Sequence, residues 1–292
     1  MARKVNPAAQ TAFGPIVLAA VEHQEAEGHR LVDDELAGQF LPLGLRWLVG
    51  ATRWAVARRL MIGASERTGP GLWADMACRK RYIDDKLDAD LADIDAVVVL
   101  GAGLDTRAYR FAHRTDVPIF EVDLPVNIAR KAATVRRVLG GRPRSVHLVP
   151  VDFERDDLSA VLATHGYRQD YRAFFIWEGV TQYLTEDAVR ATLDYLKTAA
   201  PSSRLVFTYV RRDFIDGQNL YDTPYTYRKM RGRSQLWRFG MRTEEVPDFL
   251  AQYGWRVVEQ AGPDYFLQHY IRPAGRDLGA SKLEWSVYAE KL

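Results

Sequence analysis

The sequence predicts an α/β fold: a doubly wound, mostly parallel sheet of seven strands behind an N-terminal helical segment. Three observations predict it. Asp95-Ala96-Val97-Val98-Val99-Leu100-Gly101-Ala102-Gly103 joins a short valine-rich run to a Gly-x-Gly turn, and Asp105 or Thr106 can cap the helix that follows. That is how a buried strand ends and a crossover helix begins. From residue 95 onward, apolar runs of strand length alternate with helical stretches, which implies parallel strands and right-handed crossovers. The next strand ends in Phe120-Glu121-Val122-Asp123. This acidic pair lies about twenty residues past the first glycine, where a nucleotide-binding, Rossmann-like βαβ unit places the carboxylate that holds a ribose.

A chain of 292 residues forms one large domain or a domain with an appendage. Its 47% hydrophobic and 27% charged residues are those of a soluble globular protein. The net charge of +2 calls for no polyanionic partner, so nucleic acid is not expected. Cys78 is the single cysteine, which excludes an intrachain disulfide and fits a reducing compartment. Met1 to Pro7 lead into no apolar signal core, and no apolar run is long enough to cross a bilayer. A cytoplasmic location is expected. No histidine or cysteine cluster has metal-ligand spacing, so no metal is expected.

Residues 1 to 90 read as helix and as a lid. Thr11 to Glu27 carries Phe13, Ile16, Val17, Ala20 and Val21 at helical spacing, and Asp33 to Phe40 reads as a second, short helix. Leu45 to Met61 interleaves Leu45, Trp47, Leu48, Trp54, Val56, Leu60 and Met61 with Arg46, Arg53, Arg58 and Arg59. A membrane-surface helix has this make-up. The reading adopted is a helix covering a pocket, its arginine stems lying over apolar surface; no membrane partner is expected. Gly69-Pro70-Gly71 breaks the pattern before Leu72 to Leu91 resumes it.

Residues 91 to 292 read as a ligand-binding domain. Its strands are expected at Asp95 to Leu100, Pro118 to Asp123, Val146 to Val151, Ala173 to Trp177 and Arg204 to Val210. Helices fall between them at Thr106 to Phe111, Val126 to Leu139, Asp156 to His165 and, capped by Thr185, on to Ala199. Residues 211 to 245 interrupt the rhythm as an insertion. Trp255 to Gln260 and Tyr265 to Ile271 read as a closing hairpin, with one strand antiparallel.

In such sheets ligands bind at the carboxyl ends of the strands. Gly101, Ala102 and Gly103 stand at the end of the first, Glu121 and Asp123 at the second, Asp152 and Phe153 after the third, and Glu178 at the fourth. Asp123 is assigned the two ribose hydroxyls. Asp152 can accept from an adenine amine while Phe153 packs on the ring.

Four stretches resemble the leucine carboxyl methyltransferase family: Val99 to Arg107, Phe120-Glu121-Val122-Asp123-Leu124-Pro125, Val151-Asp152-Phe153, and Trp177-Glu178-Gly179-Val180-Thr181-Gln182-Tyr183-Leu184. Arg79-Lys80-Arg81-Tyr82-Ile83-Asp84-Asp85 resembles that family's arginine-bearing segment. The likeness spans residues 75 to 210 and is greater to the bacterial, small-molecule branch. It implies a class I S-adenosylmethionine-dependent O-methyltransferase. It further implies that Gly101 to Gly103 line the methionine part of the cofactor and that Arg79, or else Arg81, pairs with its carboxylate. Glu178 would sit near the ammonium or sulfonium. Asp105, Glu121, Leu124 and Gly179 fall in the same motifs and are expected to bind cofactor with them. Tyr183 resembles a tyrosine that faces the acceptor and is the candidate catalytic residue.

The chemistry bears on the acceptor without naming it. A carboxylate, with a pKa of about 4, is already ionised and needs no base, whereas a phenol, with a pKa of about 10, benefits from one. None of the six histidines falls at a motif-bearing strand end, which favours a carboxyl acceptor over a phenol. Phe214, Tyr221, Tyr225, Tyr227, Trp237 and Phe239 of the insertion, with Trp47, Trp54 and Trp73, are expected to line an apolar site for a polyketide-like or other secondary metabolite. The basic run Tyr227 to Arg233 reads as a solvated loop. A nicotinamide dehydrogenase is the other class open to this fold, but Arg107 stands near the place of its third glycine. The oligomeric state is left open.

Overall fold

Strand β1, Ala96–Leu100, is buried along its whole length. Val97 and Val99 feed one apolar core, and Ala96, Val98 and Leu100 feed the other. A strand covered on both faces is apolar at every position, and its side chains alternate only in which core they enter. The computed structural model describes residues 13–232 and 235–292. The expected helix start at Thr11, the reading of Met1 to Pro7, and Arg233 of the basic run lie outside the described residues.

Strands β2 (Ile119–Asp123), β3 (Val146–Pro150), β4 (Ala173–Trp177) and β5 (Arg204–Val210) lie parallel to β1. With β6 (Trp255–Ala261) and β7 (Glu284–Lys291) they form a seven-stranded sheet in the order β3-β2-β1-β4-β5-β7-β6, β7 running antiparallel to both neighbours. The strand order reverses between β1 and β4, so a crevice opens above their carboxyl ends.

Helices α1 (Phe13–Glu22), α2 (Ala37–Phe40), α3 (Leu43–Ala51), α4 (Ala55–Thr68) and α5 (Leu72–Asp90) precede the sheet. Ile16 and Val21 of α1 and Tyr82 and Ile83 of α5 share one core with β1. Glu22, fully buried, accepts hydrogen bonds from Trp73 Nε1 at 2.6 Å, Leu31 N at 3.1 Å and Arg276 Nη1 at 2.9 Å. A buried charge persists only with such partners. Beyond β1 come α6 (Arg107–Phe111), α7 (Pro125–Leu139), α8 (Leu158–Thr164) and α9 (Glu186–Leu196). Pro125 starts α7 and left-handed Gly140 stops it. Thr185 caps α9 by accepting from Ala188 N.

Three expectations are corrected. Tyr265 to Ile271 is not a strand: Pro263 opens a helix, Pro263–Phe266, that continues as a π-helical turn, Leu267–Ile271. Phe266, Tyr270 and Ile271 are its buried positions, a helical spacing hidden under aromatic and β-branched residues. The seventh strand is Glu284–Lys291, and helices rather than a tight turn join it to β6. Leu45 to Met61 is not one helix but parts of α3 and α4, separated at Thr52 to Trp54. The basic run is helical through Arg231, in α10 (Pro224–Arg231), and Arg231 donates to Ile215 O at 3.0 Å and Trp237 O at 2.8 Å. Arg231 thus holds the insertion together.

Candidate active site

A cleft of about 1130 Å³ opens over the carboxyl ends of β1, β2 and β4. Its floor is the glycine turn. Gly101 N and Ala102 N donate to Val122 O at 2.7 and 3.0 Å, which folds the turn back over β2. Gly101 takes φ +77°, and a Cβ there would overlap the Val180 side chain, so both backbone and space require glycine. Asp123 ends β2 beneath this turn. Its Oδ2 accepts from Gly103 N at 2.6 Å, and its Oδ1 accepts from Leu124 N at 2.6 Å and Asn127 Nδ2 at 2.7 Å. About one of the four acceptor positions of the carboxylate remains open. Asn127 and Leu124 also line the cleft, and Asn127 Oδ1 is buried without a partner. Asp152 and Phe153 form the wall beyond β3; Asp152 Oδ1 accepts from Glu154 N at 3.1 Å.

Under the floor lies an ionic network. Arg107 is 1% exposed and pairs with Asp84, with Asp105 and, at 2.7 Å, with Glu178 Oε2, while Nη2 donates to Lys80 O at 3.1 Å. It ties the glycine turn to α5 and to the end of β4. Arg79 donates from Nε to Glu178 at 3.0 Å and from Nη1 to both oxygens of Glu284 at 2.7 and 2.8 Å. Lys80 Nζ lies 3.7 Å from Glu178. Burial alone would raise the Glu178 carboxyl, but Lys80, Arg107 and Arg79 together hold it well below the usual carboxylate range. Burial likewise opposes the charge on Asp105, and Arg107, with Lys80 and Lys131, outweighs it. Asp75, buried beside Glu284, goes the other way: burial and that carboxylate push it well above its ordinary value.

The structure brings most of the expected residues to this cleft. Arg79, Gly101, Ala102, Gly103, Asp105, Asp123, Leu124, Asp152, Phe153, Glu178, Gly179 and Tyr183 line it. Gly179 takes φ +67°, and a Cβ there would sit 3.1 Å from Arg79 Nη2, so the turn after β4 leaves that guanidinium room. Arg81 is a correction. Two positions on along α5 it faces the other way, pairs with Asp85, and lies over the Tyr270 ring at 5.3 Å. Glu121 is the second correction: it is fully buried inside the fold, where it accepts from Tyr109 Oη at 2.6 Å and pairs with Lys131.

The aromatic wall is also corrected. Tyr225 and Trp237 line the cleft, whereas Phe214 and Phe239 are buried in the fold. Tyr221 and Tyr227 pack around Phe214. Trp73 is bound to Glu22, and Trp47 and Trp54 are 82% and 62% exposed. Tyr183 stands edge-on to Trp237, ring centroids 6.4 Å apart. Lys80, Asn127 and Glu284 line the cleft and were not foreseen. Lys80 lay within the arginine-bearing segment, so its signal was present; Glu284 belongs to a strand the reading missed, and Asn127 carried no signal.

A sequence profile of the family described as leucine carboxyl methyltransferase matches residues 12–197. A protein of Mycobacteroides abscessus is 33% identical over 226 residues, 70% of this chain and 68% of the relative. One of Mycolicibacterium paratuberculosis is 29% identical over 279 residues, 89% and 86% of the two chains. Both bear the name "Putative S-adenosyl-L-methionine-dependent methyltransferase". Among solved structures, a DUF574 family protein from Streptomyces avermitilis superposes with a TM-score of 0.55 at 16% identity, over 81% of this chain and 91% of that one. The fold is that of the class I methyltransferases. With the profile spanning well over half of its length, the chain belongs to the leucine carboxyl methyltransferase family, a family of S-adenosylmethionine-dependent methyltransferases.

Proposed function

We propose that this methyltransferase makes methyl esters: it methylates a carboxylate oxygen of a small acceptor with an apolar or aromatic body, such as a polyketide-like metabolite. The observation that carries this reading is the wall contributed by the insertion. There Lys229 and Arg238, the latter paired with Glu154 at 3.6 Å, stand beside Tyr225, Met230 and Trp237 on the lining of the cleft. Cations suit a carboxylate, and the rings suit the body attached to it.

The floor fits the cofactor. The glycine turn presents bare backbone to the cleft, with Val180 packed where a Cβ of Gly101 would stand, and Asn127 Oδ1 is an orphaned acceptor beside Asp123. Asp123 and Asn127 would hold the ribose hydroxyls, Phe153 and Asp152 the adenine, and Arg79 with Lys80 the carboxylate. S-adenosylmethionine supplies a methyl group on a cationic sulfur. Glu178, already answered by three cations, fixes the positions of Arg79 and Lys80 more than it offers a free charge. What remains for the protein is placement, and holding two reactants at attack distance is worth about 7–11 kcal/mol. Tyr183 orients the acceptor. The C-terminal end of α4, where Ser65 and Thr68 line the cleft, acts as part of a lid.

The experiment is a panel of carboxylic and phenolic acceptors with S-adenosylmethionine, read by mass spectrometry before and after mild base. A base-labile product is expected, since esters are cleaved and aryl ethers are not. A base-stable product would falsify carboxyl methylation.

A further inference from the structure

The helices α3 and α4 carry a surface that the active site does not use. Leu43, Trp47, Leu48, Trp54, Val56 and Leu60 are all more than half exposed. The other exposed large apolar side chains among the described residues, Val126, Tyr225, Val258 and Leu292, are scattered. On α3, Leu43, Arg46 and Trp47 share one face; on α4, Val56, Arg59, Leu60 and Arg67 do. Arg53 and Trp54 stand exposed in the turn between them, the guanidinium 4.8 Å above the ring. No acidic residue occurs between Glu35 and Glu66. The net charge of the chain is only +2, so this concentration of cations is local.

We propose that α3 and α4 seat this protein on an anionic lipid surface. Leucine, valine and tryptophan enter the boundary between headgroups and acyl chains, and arginines meet the phosphates. Tryptophan favours that boundary because its ring is apolar and its N–H needs a polar partner. Among the described residues no helix is long and apolar enough to cross a membrane, so the contact is peripheral. A second copy of the chain fits less well. A twofold interface sets a patch against itself, and here it would bring the cluster of Arg46, Arg53 and Arg59 against the same cluster of the second copy.

The test is flotation of the full chain with vesicles of phosphatidylcholine alone and of phosphatidylcholine with phosphatidylglycerol. The protein is expected to float with the anionic vesicles, to stay behind with the neutral ones, and to be released by salt. Replacing Arg46, Arg53 and Arg59 by Gln should weaken binding about fivefold per arginine. Trp47→Ser with Leu60→Ser should abolish flotation. Thermal unfolding of each variant shows that it is folded, and the single substitutions Arg53→Gln and Trp47→Ser serve if a combined variant is not. Failure of the wild type to float, or flotation unchanged in both variants, overturns the proposal. So does a dimer in analytical ultracentrifugation that Trp47→Ser with Leu60→Ser dissociates.

Discussion

The floor of the cleft and the helical rim beside it are built on opposite principles. At the floor, the buried arginines are answered by acids: Arg107 meets Asp84, Asp105 and Glu178, and Arg79 meets Glu178 and Glu284. On the rim, Arg46, Arg59 and Arg67 point into solvent beside exposed tryptophan and leucine. The floor is specified by internal pairing, so it is rigid and its substitutions are felt in stability. The rim helices are held from within by Val49, Arg58 and Ile62, but their outward face is not, so substitutions on that face should be felt only where something outside touches it.

The sharpest way to break that contrast is to compare one substitution from each side. Arg107→Met leaves Asp84, Asp105 and Glu178 without their shared cation and should destabilise by about 3–5 kcal/mol. Trp47→Ser with Leu60→Ser should stay within about 0.5 kcal/mol of wild type. Urea unfolding measures both. Comparable losses from the two sides would mean that the outward face of the rim, too, is held by the fold.

The contrast also explains what the sequence could disclose. Strands β4 and β5 are found with the expected bounds, Ala173–Trp177 and Arg204–Val210, because a strand buried on both faces is a continuous apolar run. The glycine turn and Asp123 were legible because a tight turn and a strand-end acid carry their own local pattern. Pairing partners were not legible. Glu121 and Asp123 look alike in sequence, and only Lys131 and Tyr109, brought up by the helices α7 and α6, separate a buried ion pair from a cleft acid. Arg79 and Arg81 lie two residues apart on a helix, and no local signal says which side faces in. The rim was misread for a related reason. An amphipathic pattern tells that a face is apolar and not what covers it.

Within the floor, Asp123 holds the turn and still has an acceptor position open. Asp123→Ala should weaken S-adenosylhomocysteine binding by about 1.5–3 kcal/mol in calorimetry, the scale of hydrogen bonds to a charged group. Asp152→Ala, at a half-buried site where the carboxylate accepts from Glu154 N and lies 3.8 Å from Arg155, should weaken it by less. The reverse order would move the ribose site from β2 to β3.

Two buried acids of the same network should give opposite pH dependence. Glu178 is pushed up by burial but held at about 2 by Lys80, Arg107 and Arg79. Its folded value is lowered, so its contribution is present above the ordinary glutamate range and is lost as pH falls toward that value. Burial and Glu284 raise Asp75, so its contribution is full below the ordinary aspartate range and is lost as pH rises through its folded value. Asp75→Asn mimics the protonated acid. Its advantage over wild type should grow as pH rises above the ordinary aspartate range, while both proteins keep the same acid-side fall. An alkaline slope identical in the two would show that Asp75 is not the group responsible.

The smallest effect is expected at Tyr183, where floor and acceptor wall meet. Its ring stands edge-on to Trp237 of the insertion, and Tyr183→Phe keeps that contact while removing only the hydroxyl. If the hydroxyl orients an acceptor carboxylate, kcat/KM should fall by about 1 kcal/mol, the worth of one hydrogen bond. Binding of S-adenosylhomocysteine and the urea midpoint should not change. The rate should also be flat above about pH 6 in both proteins, because a carboxylate acceptor has no proton left to lose. A rate that climbs through the alkaline range in wild type and flattens in Tyr183→Phe would make the hydroxyl a proton carrier and the acceptor a phenol. A loss of cofactor affinity as large as that of Asp123→Ala would instead place Tyr183 with the floor, and the division between a paired floor and an acceptor wall would have to be redrawn around it.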